Sequence, residues 1–266
     1  VVDKILNGKE VPDIDVSKHK ENIQKLFELS SLLKQKRIEE GGAVVFGEGF
    51  NKGLPQMNQE TGKMEFKDGE STKSTLLVSE LMILTNSLAG KFLAENEIPA
   101  IYRVYTNLAT SSTLKIDNKS IQKCGKNQIK QDPTIADLVL YNSIMNSSTY
   151  SLDHTRGQSM MGIPHYAPVT SPLRRFPDII NHLQILSFMR SKGKSTHYSA
   201  SELKKILYNN LLPRYLILNN MSSKIKKFWT LNYWEQMFAK SHRPFVNSPI
   251  IITSVPKMNQ CGFASL

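Results

Sequence analysis

The sequence predicts an α+β fold rich in helix, and three observations carry that prediction. Apolar residues recur at intervals of three and four over 15–40, 75–95 and 170–190. Between these stretches lie short segments that alternate apolar and polar, such as 101–105. Past residue 245 the period changes from helical to β, so a second, β-type module is expected over 245–266, after a main body at 1–244.

The 266 residues, 40% of them apolar, can bury one large core or two small ones. Apolar runs along the whole length argue against disorder. No stretch approaches the roughly 18 unbroken apolar residues of a membrane helix, so no membrane span is expected. Lys plus Arg number 34 against 23 Asp plus Glu, a net charge of +11. That surplus suits a polyanionic partner, although a merely basic soluble domain has the same balance. Cys124 and Cys261 stand far apart, which disfavours a disulfide framework or a zinc site and fits a reducing compartment. The chain opens on Val1-Val2 and stops at Leu266 inside a β pattern, so it is read as a piece of a longer protein with no legible targeting peptide.

A helix is expected over 15–40, started by Asp15 or Ser17, carrying Ile23, Leu26, Phe27 and Leu33 on one face and ended by Gly41-Gly42. Ala43–Phe46 reads as a strand, and Met64 and Phe66 after Thr61-Gly62-Lys63 as part of a hairpin. A second helix over 75–95 has Leu81, Leu84, Leu88 and Phe92 in a stripe, with Ile101–Tyr105 as a strand beyond Pro99. Residues 107–132 are polar loop, 134–146 look helical, and Tyr150–Val169 is a loop rich in Gly, Met and His. A helix should begin at Thr170-Ser171-Pro172, with Ser171 as cap and Pro172 in its first position. Pro177 implies a kink or a later start. Phe176, Ile179, Ile180, Leu183, Leu186 and Met189 would be its buried face, and Lys192-Gly193 its end. A helix over 199–211 should break at Pro213. A long helix then runs to about Phe238 with Met221, Ile225 and Phe228 on one side, and Ile250–Ile252 pairs with Cys261–Phe263.

The chemistry concentrates at 166–178. A helix start offers unpaired N–H groups and a positive dipole end. Thr170 and Ser171 add hydroxyls, and Arg174 and Arg175 add forked cations. These groups make a phosphate site. The competing reading is an ordinary capped helix with solvated arginines.

Tyr166, Thr170, Ser171, Pro172, Arg174, Arg175, Phe176, Asp178 and His182 stand in register with a known signature. It resembles that of the RNase II (RNB) family of 3′-to-5′ exoribonucleases, Tyr-x-His-Phe-Thr-Ser-Pro-Ile-Arg-Arg-Tyr-x-Asp-Leu with a His four residues on. Leu33–Gly42, Val78–Asn86 and Pro99–Tyr105 are similar to further family segments, so the resemblance covers residues 1 to about 240. Residues 250–266 look like the first strands of the family's OB-fold RNA-binding domain. The low-similarity loops, the string Val169–Asp178 and the Asn/Lys-rich composition together are most similar to the family's fungal mitochondrial branch, that of the degradosome exoribonuclease.

The resemblance implies that Arg174 neutralises the phosphate at the scissile bond. Arg175, Ser171, Thr170 and Tyr166 would contact the RNA, Arg175 being equally suited to an ion pair with Asp178. Glu80 matches an acid near the 3′-terminal nucleotide, with an ordinary surface glutamate as the alternative. Phe46 matches an aromatic that stacks on the terminal bases, with plain core as its alternative. Lys224, with Lys226 and Lys227, makes a basic helix that follows RNA or is simply solvated. Asp178 and His182 are read as structural, and His154 and His165 as no ligands.

Two departures stand out. Pro168-Val169 replaces the family's His-Phe pair, and Ser223 occupies the place of an acid on the later helix. The family's Mg²⁺ ions are held by an upstream aspartate cluster that is not found in this sequence. The expectation is therefore a fragment of a processive, hydrolytic exoribonuclease that turns single-stranded RNA into nucleoside 5′-monophosphates. Alone it is expected to be inactive. The resemblance further implies the mitochondrial matrix and an RNA helicase partner. The rival reading is a non-catalytic RNA-binding protein on the same fold.

Overall fold

The computed structural model describes residues 1–8, 17–43, 54–59, 61–62, 64–67, 72–105, 148–158, 161–241, 251–252 and 264–265. In chain order the elements are helix α1 (Val2–Leu6), helix α2 (Ser17–Glu39), the strands β1 (Leu54–Met57) and β2 (Met64–Lys67), and helix α3 (Lys73–Glu95). Then come β3 (Tyr102–Tyr105), β4 (Ser148–Ser151), a 3₁₀ turn at His154–Arg156, and helix α4 (Phe176–Arg190). Helix α5 (Ala200–Lys205), a π turn at Ile206–Leu211 and helix α6 (Leu212–Ser241) follow, with β5 (Ile251–Ile252) and β6 (Ala264–Ser265) last. Helix dominates, as the α+β prediction requires.

The chain divides into two compact units. The first holds Val1–Glu48, Ser71–Lys130 and Ser147–Tyr215; the second holds Gly49–Glu70, Gln131–Asn146 and Leu216–Leu266.

In the first unit, α1 seats the start of α3. Asp3 accepts the Ser74 N–H at 2.8 Å and the Ser74 hydroxyl on its other oxygen, and these bonds hold its carboxyl below the usual range. Thr72 caps α3 by accepting the Thr75 N–H at 3.2 Å. The buried face of α3 is Leu77, Glu80, Asn86, Gly90 and Leu93. The expected Leu81/Leu84/Leu88/Phe92 stripe is therefore corrected: Leu88 is 57% exposed. Two observations explain the rotation. Glu80 and Asn86 have partners inside the unit, and Gly90 admits the backbone of 165–167, which comes within 2.9 Å of where a Cβ would stand.

Against the expectation of no membrane span, α3 is long and apolar enough to cross a membrane, by length and composition only. Within it Glu80 and Asn86 are buried and bonded to neighbouring elements of the same unit.

Strand β3 pairs antiparallel with β4, with Tyr102 opposite Ser151 and Arg103 opposite Tyr150. One core cluster is Leu93, Ile98, Ala100, Tyr102, Val104 and Ala167; another is Ile101, Ile180, Leu203 and Leu207. The expected apolar face of α4 is also corrected. Phe176, Ile179, Leu186 and Met189 are exposed, and the inward face is Pro177, Asp178, Ile180, Asn181 and Gln184. These polar residues take the place of apolar packing by bonding backbone. Asn181 donates to Ile101 O and Pro168 O and accepts the Ile101 N–H. Gln184 bonds Pro99 O and both polar atoms of the Tyr198 backbone.

Ser199 and Glu202 form a capping box at the start of α5. The chain stays helical through Pro213, contrary to the expected break. The widened π turn directly before it accommodates a residue with no N–H.

In the second unit, β1 and β2 form the expected antiparallel hairpin, Met57 facing Met64. Strands β5 and β6 pair with Ile251 opposite Ser265 and Ile252 opposite Ala264. Cys261–Phe263, the helix expected at 134–146, Asp15 and the expected strand beyond Ala43, Phe46 included, lie outside the described residues. Helix α1 had no expectation, and β4 corrects the start of the loop expected over Tyr150–Val169, because Tyr150 and Ser151 pair with Arg103 and Tyr102.

Candidate active site

The helix that follows the signature starts at Phe176, not at Ser171. A helix begun at Ser171 would carry Pro177 in its second turn, where the ring meets the carbonyl four residues back. Starting at Phe176 puts Pro177 in the first turn, where its missing N–H costs nothing. Residues 171–174 instead form a turn in which Ser171 O accepts the Arg174 N–H at 3.2 Å and the Arg175 N–H at 3.0 Å.

This turn is braced from beneath. Asp178, with no exposed surface, takes on Oδ1 the Ser171 N–H at 2.8 Å, Arg175 Nη2 at 2.9 Å and Arg175 Nε at 3.2 Å. Arg175 Nη2 also donates to Thr170 Oγ1 at 3.1 Å. Asp178 Oδ2 is buried without a hydrogen-bond partner. The carboxylate thus occupies the positive end of α4, the place where a phosphate would bind at a bare helix start. The expected helix-end phosphate site is replaced by an internal one of protein origin.

Arg174 is left in a different situation from its neighbour. Its side chain is exposed, and among the described residues its guanidinium has neither a hydrogen bond nor an ion pair. The two arginines have divided the work, Arg175 bracing the turn and Arg174 offering a free forked cation to solvent.

The structure places the remaining candidates as follows. Tyr166 is 6% exposed, and its hydroxyl accepts from Asn86. Thr170 and Ser171 are half-buried within the brace. Glu80 is 5% exposed, and Arg37 takes both its oxygens, Nε on Oε2 at 2.9 Å and Nη2 on Oε1. Arg37 also donates to Met161 O at 2.8 Å. Glu80 is thus neither on the helix surface nor close to the 171–174 turn through any bond of its own. Lys224 is exposed on α6 in the second unit. Phe46 lies outside the described residues. His182 Nε2 is 2.6 Å from Val169 O, and His165 Nδ1 is 3.1 Å from His154 O. Burial pushes the Tyr150 phenol up, opposed by the nearby guanidinium groups of Arg103 and Arg175.

Sequence reasoning missed Arg37, Asn86, Asn181 and Gln184. Apolar periodicity is blind to buried polar side chains. A signal did exist for Asn86, since it closes the Val78–Asn86 segment on which part of the resemblance rests.

Comparison with known proteins assigns the chain to a family. The RNB domain model matches residues 1–191. The "Exoribonuclease II, mitochondrial" of Saccharomyces cerevisiae is 36% identical over 265 residues, which are 98% of this chain and 26% of that protein. The crystal structure of an active-site mutant of the Dss1 exoribonuclease from Candida glabrata superposes with a TM-score of 0.77 at 35% identity, covering 96% of this chain and 30% of that one. Mycoplasma genitalium RNase R in complex with double-stranded RNA gives a TM-score of 0.66 at 20% identity, over 95% and 47% of the two chains, a likeness of fold. The chain spans about a quarter of the length of the yeast relative. With the domain match over 1–191, the 36% identity and the shared fold, the chain belongs to the RNB family.

Proposed function

We propose that this chain is the arginine-bearing part of a hydrolytic 3′-to-5′ exoribonuclease acting on single-stranded RNA. The observation that carries the reading is Arg174, whose guanidinium has neither a hydrogen bond nor an ion pair among the described residues, on a turn that Asp178 and Arg175 brace. During cleavage of a phosphodiester, charge grows on the non-bridging oxygens. A fixed forked cation at that point lowers the barrier more than it tightens ground-state binding. Arg175 has its Nε and Nη2 committed to Asp178 and Thr170.

The family implies Mg²⁺, which when bound supplies an activated water and neutralises the leaving oxygen. The described residues do not fit it, because no three His, Cys, Asp or Glu side chains cluster among them. In our reading the ligands stand elsewhere in the whole enzyme, and this chain alone does not cut RNA. We read the whole enzyme as processive, releasing nucleoside 5′-monophosphates, with residues 245–266 opening an OB-fold. The net charge of +11 favours a salt-dependent hold on the RNA backbone. The mitochondrial name of the yeast relative supports a mitochondrial location, and an RNA helicase is the partner the fungal branch suggests.

The test is Arg174→Ala in the whole enzyme. Single-turnover cleavage should fall by about 10²–10³-fold, the size seen when one transition-state donor is removed. RNA affinity should stay within a few-fold. Equal losses in both would contradict a transition-state role. An enzyme that binds RNA but never cuts it, with or without Arg174, would be the non-catalytic binding protein instead.

A further inference from the structure

Asn86 has no part in the chemistry above, yet its side-chain amide is fully bonded to the segment that leads into it. It lies fully buried in the middle of α3. Its Nδ2 donates to the Tyr166 hydroxyl at 2.9 Å and to Thr170 Oγ1 at 3.2 Å. Its Oδ1 accepts the Val169 N–H at 2.8 Å, and its backbone carbonyl accepts the Ala167 N–H at 3.1 Å. Both amide hydrogens and the amide oxygen are therefore used, and residues 166, 167, 169 and 170 are strapped to one point of the helix.

The strap does not end at Thr170. Thr170 Oγ1 takes Arg175 Nη2, Arg175 takes Asp178 Oδ1, and Asp178 Oδ1 takes the Ser171 N–H. The Ser171 carbonyl then receives the Arg174 and Arg175 N–H groups. One hydrogen-bonded relay thus runs from α3 through the turn that carries Arg174. A buried amide costs free energy unless every polar atom is paired. An apolar residue would fill the same space without that cost, but it could not fix the strap's register.

We propose that Asn86 is a positioning residue for Arg174. Its amide holds 166–170 in one register, and the relay passes that register to the turn, so that the backbone from which the Arg174 side chain springs is fixed. The proposal rests on the reading that Arg174 acts at the scissile phosphate. A displacement of about 1 Å in such a group is worth about 10²-fold in rate.

The experiment is a double-mutant cycle in the whole enzyme, with single-turnover cleavage and RNA affinity both measured. Asn86→Ala should slow cleavage about 10- to 100-fold and leave RNA affinity within a few-fold. Added to Arg174→Ala it should slow cleavage no further, because the group it positions is gone. Leu203→Ala, a fully buried core position outside the relay, should lower the melting temperature without that rate effect. If Asn86→Ala does not fold, Thr170→Val cuts the same relay at a half-buried position and should give the same non-additivity. Full additivity with Arg174→Ala, or a rate loss no larger than that of Leu203→Ala, overturns the positioning role while leaving the proposed function standing. If Arg174→Ala itself cuts normally, it is the proposed function that fails.

Discussion

Asp178 reaches back seven residues to take the Ser171 N–H on Oδ1 at 2.8 Å, and that bond closes the base of the turn on which Arg174 stands. The same oxygen receives Arg175, while its twin has no partner in a buried place. One carboxylate oxygen therefore carries both the turn and the ion pair.

Asp178→Asn should separate those two duties. The amide oxygen can still accept the Ser171 N–H, but the ion pair with Arg175 is lost and a new NH₂ is buried where the unpartnered oxygen stood. Breaking a buried pair costs about 3–5 kcal/mol. The Arg175 side chain is 23% exposed, so the low end, about 3 kcal/mol, is expected in urea unfolding. A loss below about 1 kcal/mol would show that Asp178 is not the brace.

Glu80 and Arg37 form the other buried pair, with side chains 6% and 18% exposed. Arg37→Leu strands the Glu80 carboxylate in the core and should destabilise by about 3 kcal/mol or more. Glu80→Gln keeps an acceptor for one guanidinium N–H and should cost less. Neither variant should change RNA affinity more than a few-fold, provided it is measured below the melting temperature. A large affinity loss in Glu80→Gln with unchanged stability would return Glu80 to the RNA end.

Periodicity and turn chemistry made much of this molecule legible. The spans of α2 and α3, the 54–67 hairpin and strand β3 follow from patterns that a solvent-facing chain must obey. Pro177 announced the late start of α4 through its missing N–H. What escaped was which way the helices face. Leu88, Ile179 and Leu186 look like core by period but are exposed, while Glu80 is inside with the Arg37 guanidinium, and Asn86, Asn181 and Gln184 are inside because backbone groups there need partners. Hydropathy ranks those side chains as outward, and only their bonds reveal the opposite. The signature pointed to 166–178, but it did not divide the labour between Arg174 and Arg175, which depends on where Asp178 points.

Gly90 tests the close approach of α3 to the strap. In an ordinary helix, Gly→Ala stabilises by about 0.5–1 kcal/mol. Here the new Cβ would meet the backbone of His165, Tyr166 and Ala167, each at 2.9 Å. Backbone cannot turn aside as a side chain does, so Gly90→Ala should instead destabilise by about 1–3 kcal/mol. A rise in melting temperature would mean that the strap lies farther from the helix than the structure has it.

Tyr102 gives a prediction in pH. It is 2% exposed in the first core cluster, and burial pushes its phenol up to about 12. An unfolded tyrosine releases its proton near pH 10. Between about pH 10 and 12 the unfolded chain has lost that proton and the folded chain keeps it. The unfolded state then binds fewer protons, so stability falls as pH rises through that window and is insensitive to Tyr102 below it. Tyr102→Phe keeps the ring and has no proton to lose. Its unfolding free energy should therefore decline less than that of the parent from pH 10 to 12, while Tyr208→Phe, at an exposed position, should track the parent. Parallel curves for the Tyr102→Phe variant and the parent would mean that the phenol is hydrated in the folded state and that the β3 core is open to water at that point.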